Sequence, residues 1–316
     1  MTVAEAGEFG LIERIITRLS GSAAIIVGPG DDAAVIRAPD ARVVASTDTL
    51  IEGRHFRRDW SGPGDIGHRA AAEAMADIAA MGAVPTGVLV GLGCPPDLPV
   101  NWVEELVDGM REESGELGAA VVGGDVVRSD TVVLAMTALG DLQGRDPVTR
   151  GGARAGEVVA VTGRLGWSAA GLAVLARGFR SPAVVVGAHR RPEPPYAEGP
   201  RAAEAGATAM CDISDGLVQD VGHLASASGV GIDLRRDALV VPARLRDVGR
   251  ALGVDPMDWL LGGGDDHSLV ATFPAKSGPP PGWTLIGRVT DPVDGGAVSV
   301  DGVRQDPAGF DHFSRG

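Results

Sequence analysis

The feature that most limits what this chain can fold into is a short acidic punctuation that recurs along it. Aspartate sits beside glycine or a small hydroxyl residue, most often where an apolar run stops: GDDAAV (30–35), RVVASTDTL (42–50), AAVVGGD (119–125), ATAMCDISDGL (207–217) and LLGGGDD (260–266). A sixth occurrence, MADIAAMG (75–82), is helical in pattern. β-Branched runs closed by Gly/Asp turns read as strands. Strand ends beside helix starts are where α/β sheets bind ligands. One such turn is accounted for by capping or turn chemistry; six together call for a shared chemistry.

The pattern between these points predicts two domains, as a length of 316 residues also suggests. Phe9, Ile12, Ile15, Ile16 and Leu19 recur at helical spacing, and residues 64–82 and 100–117 predict two further helices, the first closing at Gly82. Strands are predicted at 42–50, 86–93, 119–125 and 131–140, making the first half α+β. Gly, Pro and Arg break the periodicity at 144–156, which places a boundary between domains of residues 1–145 and 146–316. The second half reads as mixed α/β, with strands at 157–163, 207–213, 230–234, 268–273 and 283–289 and helices at 166–177 and 215–228. Residues 181–200, rich in Pro and Arg, read as a loop or surface excursion.

Charge and residue usage exclude several functions. With 28 basic against 42 acidic residues the net charge is −14, which opposes binding to nucleic-acid backbones or anionic membranes. No apolar run reaches the ~18 residues of a membrane span, and the first residues lack the charged start of a secretory signal. Cys94 and Cys211 show neither metal-ligand spacing nor a disulfide framework and read as small buried residues. A cytoplasmic protein is expected. HExxH, CxxC and GxSxG are absent, which removes the usual zinc and serine-nucleophile signatures. Lys276 is the single lysine, and it lies outside any Walker A or protein-kinase context. A nucleotide bound here must meet metal ions, arginine and backbone N–H groups instead, with Arg128 and Arg150 as candidates.

The aspartates point to the metal. Two carboxylates ~4 Å apart at a surface repel by about 4 kcal/mol at an effective dielectric near 20, so Asp31 and Asp32 beside a phosphate-sized glycine turn need a cation. Asp77 is a poor mid-helix residue among Met75, Ala76, Ile78 and Ala79, and it too needs a partner. Magnesium, bound through one or two carboxylates with water and phosphate, suits scattered aspartates.

Taken in order, GDDAAV, STDTLIEGRHF (46–56), ADIAAMGA (76–83), GGDVVRS (123–129), DISDGL (212–217), GGGDD and the closing GFDHF (309–313) resemble the thiamine-monophosphate kinase family over essentially the whole chain. The wider group is similar to aminoimidazole-ribonucleotide synthetase. The resemblance implies a two-domain α+β and α/β fold whose N-terminal domains pair in a homodimer. It implies transfer of phosphate from ATP to thiamine monophosphate with several Mg²⁺ ions. By matching positions, Asp32, Ser46, Thr47, Asp48, Asp77, Asp125, Asp212 and Asp215 would be metal ligands. Gly124, Asp125, Arg150 and Ser214 would bind ATP, and His55, Asp265 and Phe310 the substrate. No catalytic base is expected, because the acceptor phosphate, with a second pKa of ~6, is largely deprotonated at neutral pH.

The chain departs from the family pattern in two places, one being AMADIAAMGA (74–83) where the family has NLSDLAAMGA, which loses an amide and a hydroxyl at Ala74 and Ala76. Where the family commonly has GGEDYEL this chain has GGGDDHSL, so Asp265, His267 and Ser268 replace Glu, Tyr and Glu, and no role passes to His267 or Ser268. Another ATP-dependent member of the wider group, such as aminoimidazole-ribonucleotide synthetase, and a non-enzymatic metal-binding module stand as alternatives.

Overall fold

The computed structural model describes residues 1–29, 33–292 and 295–305, and the chain divides into two units. One comprises Met1–Ile78 and Ala83–Gly144, the other Ala79–Gly82 and Arg145–Gly316. No helix among the described residues is long and apolar enough to cross a membrane.

In the first unit the chain runs α1 (Val3–Ile16), β1 (Ile25–Val27), β2 (Val35–Ile36), β3 (Val44–Ile51), α2 (Pro63–Ala80), β4 (Val84–Cys94), α3 (Val100–Glu116), β5 (Val121–Arg128) and β6 (Val133–Asp141). The last four long strands form a sheet in the order β3-β6-β4-β5. Only β4 and β5 pair in parallel, and α3 is the crossover that such a pair requires. Strand alternation sends Leu50, Leu134, Met136 and Ala138 into the core. The alanine face of α2, with Ala70, Ala71, Ala74 and Ile78 fully buried, is narrow enough to lie close to them. Aromatic residues are scarce, so small aliphatic side chains do this packing.

The first helix differs from the sequence expectation. A reciprocal capping box starts it early: Thr2 Oγ1 accepts the Glu5 N–H and Glu5 Oε2 accepts the Thr2 N–H. It ends at Ile16, short of Leu19, and its one buried residue is Leu11, with Phe9 81% exposed. The apolar stripe Ile12, Ile15 and Ile16 lines a cavity of about 1040 Å³, walled also by Leu106 and Met110 of α3 and by the β4–β5 edge.

The second unit contains β7 (Val158–Thr162), α4 (Trp167–Ala176), α5 (Ala183–Arg190), α6 (Glu198–Glu204), β8 (Ala209–Ile213), α7 (Leu217–Ser228), β9 (Val230–Leu234), α8 (Ala243–Leu252), α9 (Pro256–Gly262), β10 (Ser268–Phe273), β11 (Thr284–Pro292), β12 (Ala297–Val300) and β13 (Val303–Arg304). Its sheet has the order β13-β12-β9-β11-β7-β10-β8, with β12 and β9 the parallel pair. Every residue of β8 and β10 is buried, as expected for strands covered on both faces. Phe273 and Trp283 meet edge to face at 5.4 Å within a cluster that includes Met210 and Leu269.

Residues 181–200 are not a loop throughout. Between the flanking prolines, AVVVGAHR forms α5 and buries Val185, Val186 and Ala188, and Glu198 opens α6. The β-branched run disguised a helix whose apolar face packs on α4. Helices α8 and α9 add to those expected from the sequence, with Leu245, Val248 and Leu252 of α8 at helical spacing.

Candidate active site

In the first unit the strand opened by RVVASTDTL sets three predicted residues on alternate faces. Ser46 and Asp48 share the face that buries Leu50, while Thr47 points the other way. On the inner face, Ser46 Oγ donates to Asp77 Oδ2 at 2.5 Å. The awkward mid-helix aspartate therefore has a hydroxyl partner from a strand 31 residues earlier. Asp48 lies two positions along the same edge strand. On the outer face, Thr47 donates its hydroxyl to the Met136 carbonyl at 2.9 Å.

Asp125 is not brought to the inner cluster. It pairs with Gly91, Gly91 with Ala135, and Ala135 with Thr49. Paired residues share a sheet face, so Asp125 lies on the Thr47 face, opposite Ser46 and Asp48. Gly124 and Asp125 are exposed on the edge strand β5 and contribute to the wall of the cavity beside α1. His55 sits in the turn after β3, where its Nδ1 accepts the Ile51 N–H at 3.0 Å. That bond places the neutral imidazole proton on Nε2. The predicted metal ligand Asp32 and substrate residue Phe310 lie outside the described residues.

The second unit gathers its predicted residues at the end of β8 and in the following turn, at the start of α7. Asp212 is buried as the penultimate residue of β8, and Ser214 and Asp215 lead to Gly216, the N-cap of α7. Gly216 has φ 123°, a conformation open to glycine, and a Cβ there would lie 2.8 Å from Gly262 backbone. The segment 262–268 is laced against this turn. The Asp265 N–H donates to Ser214 O at 2.9 Å, the His267 N–H to Ile213 O at 3.0 Å, and a Cβ on Gly264 would fall 2.1 Å from Ser214 O. Asp265 thus lies beside the turn, with φ +60°. Arg150 is exposed, and its carbonyl accepts the Ser228 hydroxyl at 3.1 Å.

Three residues without a predicted role organise this region. Asp220, on the first turn of α7, uses Oδ2 to accept the N–H groups of Asp215 and Gly216 at 3.0 and 3.1 Å. Burial, with the charges of Asp212 and Asp215, pushes its carboxyl up to about 7 against the lowering effect of those N–H donors. Ligand atoms of Asp215, Asp220 and His223 lie within 4.8 Å of one another. Asp266 accepts the N–H groups of Gly166 and Ser168 at 2.5 and 2.8 Å, capping the start of α4. Burial is the main cause that raises it to about 7. His267 presents Nδ1 to Asp212 Oδ2 at 3.0 Å, with both side chains buried. The sequence signal for Asp220 was its placement four residues after Gly216; nothing local announced the partners of Asp266 and His267. Cys94 and Cys211 are buried, as the sequence suggested, and Cys211 Sγ donates to the Asp220 carbonyl at 3.6 Å.

Contrary to the sequence expectation, Asp48 and Asp125 lie within β3 and β5 rather than at their ends, and only Asp212 stands near the end of its strand. The α+β unit and the mixed α/β unit that carry these aspartates are those of an AIR synthase related protein. The family model for the N-terminal domain of that group matches residues 30–142, and the model for its C-terminal domain matches residues 154–263. Within that group the chain belongs to the thiamine-monophosphate kinase family. It is 49% identical over 304 residues to the curated thiamine-monophosphate kinase of Mycobacterium tuberculosis strain H37Rv, covering 95% of this chain and 90% of that one. The solved structure described as AaThiL complexed with AMPPCP and TMP aligns with a TM-score of 0.81 at 34% identity, covering 99% of each chain. Thiamine-monophosphate kinase from Stenotrophomonas maltophilia aligns with a TM-score of 0.80 at 33% identity over 93% of this chain and 96% of that one.

Proposed function

We propose that the protein transfers the γ-phosphate of ATP directly to the phosphate of thiamine monophosphate, giving ADP and thiamine diphosphate. The carrying observation is the inner-face cluster, Ser46 hydrogen-bonded to Asp77 with Asp48 on the same strand face, in a chain akin over its full length to a relative bound to AMPPCP and TMP.

The donor set fits magnesium. Carboxylates and a hydroxyl are hard oxygen ligands, and those of Ser46 and Asp77 already converge. Asp32, Ser46, Asp48, Asp77 and Asp125 would hold Mg²⁺ from the first unit, with Thr47, whose hydroxyl is engaged, serving through its main-chain carbonyl. Asp212 and Asp215 would do so from the second. When bound, the metal offsets repulsion between donor and acceptor phosphates. Gly124, Asp125, Arg150 and Ser214 would contact ATP; His55, Asp265 and Phe310 would contact thiamine monophosphate. The acceptor needs no base, since its phosphate is already largely deprotonated at neutral pH.

The outer sheet face would pair two copies of the chain. Leu89 and Val127 remain 36% and 54% exposed there, and Asp125 lies on that same face. Leu89→Arg should therefore yield a monomer in light scattering; an unchanged dimer would place the interface elsewhere.

Release of ADP from Mg·ATP should be stimulated by thiamine monophosphate, and a chiral γ-phosphate should be inverted in the product. Turnover indifferent to thiamine monophosphate would overturn the substrate assignment, and retention of configuration would overturn direct transfer.

A further inference from the structure

We propose that His267 is a positioning residue that orients the Asp212 carboxylate as a metal ligand. This rests on the reading of Asp212 as a ligand given above. The acceptor is a carboxylate, so Nδ1 carries the proton and donates it to Oδ2 at 3.0 Å. That bond engages one carboxylate oxygen and leaves Oδ1 to face a cation.

The ring is itself fixed by the backbone. His267 directly precedes β10, whose Ser268 and Leu269 pair with Ile213 and Asp212 of β8. Its own N–H donates to the Ile213 carbonyl at 3.0 Å, and the preceding Asp265 N–H donates to Ser214 O. One residue back, Asp266 is anchored to the Gly166 and Ser168 amides of α4. The imidazole thus stands between a strand register and a capped helix, with 6% of its side chain exposed and the same for Asp212. Residue 267 also has φ +51°, a left-handed conformation that a non-glycine residue adopts only when its surroundings hold it there. A carboxylate pinned by a neighbouring N–H presents its second oxygen in one direction, and loss of such a partner typically weakens metal binding ~10–100-fold.

The test is titration of Mn²⁺ into the full chain saturated with AMPPCP, followed by calorimetry or by the spin resonance of the free ion. His267→Asn, whose amide N–H can occupy the position of Nδ1 and which tolerates the left-handed backbone, should bind within about threefold of wild type. His267→Gln, which carries its amide one bond further out, should bind the Asp212-dependent ion ~10-fold more weakly. In an Asp212→Asn background, His267→Gln should cause no further loss, which separates orientation of Asp212 from backbone strain. Equal effects of Asn and Gln, or the same loss in the Asp212→Asn background, would overturn the proposal. So would a fall in thermal stability with metal affinity intact. A wild type that binds no Mn²⁺ would overturn the metal reading and this proposal with it, whereas a binding wild type matched by His267→Gln would overturn this proposal alone.

Discussion

The two units handle aspartate differently. In the first, Ser46 and Asp77 meet through a hydroxyl, and Asp48 and Asp77 are only partly buried. Such carboxylates keep their hydration and can exchange water for a cation. In the second, Asp212, Asp220 and Asp266 are buried and are held by a histidine ring and by backbone N–H groups. Burial there raises Asp220 and Asp266 to about 7. Similar Gly/Asp and Ser/Asp patterns in the sequence therefore meet two environments: open carboxylates in the first unit, and enclosed ones in the second, where Asp220 and Asp266 fix the shape of the segment carrying Asp212, Ser214 and Asp215.

The largest expected effect breaks this comparison on the open side. Asp48→Asn and Asp77→Asn each remove a proposed anionic metal ligand with little burial at stake, so kcat/KM should fall ~10³-fold while urea unfolding changes by less than ~1 kcal/mol. Steady-state kinetics with near wild-type turnover would remove the residue from the metal set. On the enclosed side the balance should reverse. Gly264→Ala puts a Cβ 2.1 Å from the Ser214 carbonyl, and such overpacking costs about 1–3 kcal/mol. Denaturant unfolding should show that loss, together with weakened ATP binding; unchanged stability would mean that segment 262–268 is not packed as described.

The remaining effect on the enclosed side is one of pH. Asp266 has a folded-state pKa of about 7, above its unfolded value near 3.8, so between these values the folded protein binds more protons than the unfolded chain. Stability contributed by the protonated form is present below about pH 4 and is lost as the pH rises towards 7. From 3.8 to about 7, at ~1.4 kcal/mol per pH unit, the fall is about 4 kcal/mol. Asp266→Asn should lessen the slope of the stability profile between these values, leaving the share of Asp220, which is raised to about 7 as well. Parallel profiles for wild type and variant would show that Asp266 is not a titrating group.

The strands of the first unit were readable because β-branched and apolar runs with glycine, serine and aspartate beside them mark each one, as in VASTDTLI and VVGGD, although alternation shows in the burial of β3 and β6 and not in that of β5. The glycine and serine beside the aspartates marked a true turn between β8 and α7, whereas Asp48 and Asp125 fall inside strands and Asp77 inside a helix. The sequence did not disclose α5, since VVVG carries strand propensity and only packing on α4 makes it helical. Nor could it show the contacts that assemble each site. Ser46 reaches Asp77 across 31 residues, and Asp266 reaches Ser168 across 98. Those distances are closed by β3 packing beside α2 and by segment 262–268 capping α4, which no local pattern encodes. Thr47 and Ser46 are adjacent in sequence yet serve opposite sheet faces, a consequence of the two-residue period of a strand.

The most direct test of the central claim is to follow wild-type protein with ATP and thiamine monophosphate across a Mg²⁺ titration, quantifying ADP and thiamine diphosphate chromatographically. The two products should appear in equal amounts, vanish with EDTA and return with added Mg²⁺. ADP formed without thiamine diphosphate, or products that persist when every divalent cation is chelated, would contradict metal-dependent phosphoryl transfer to thiamine monophosphate.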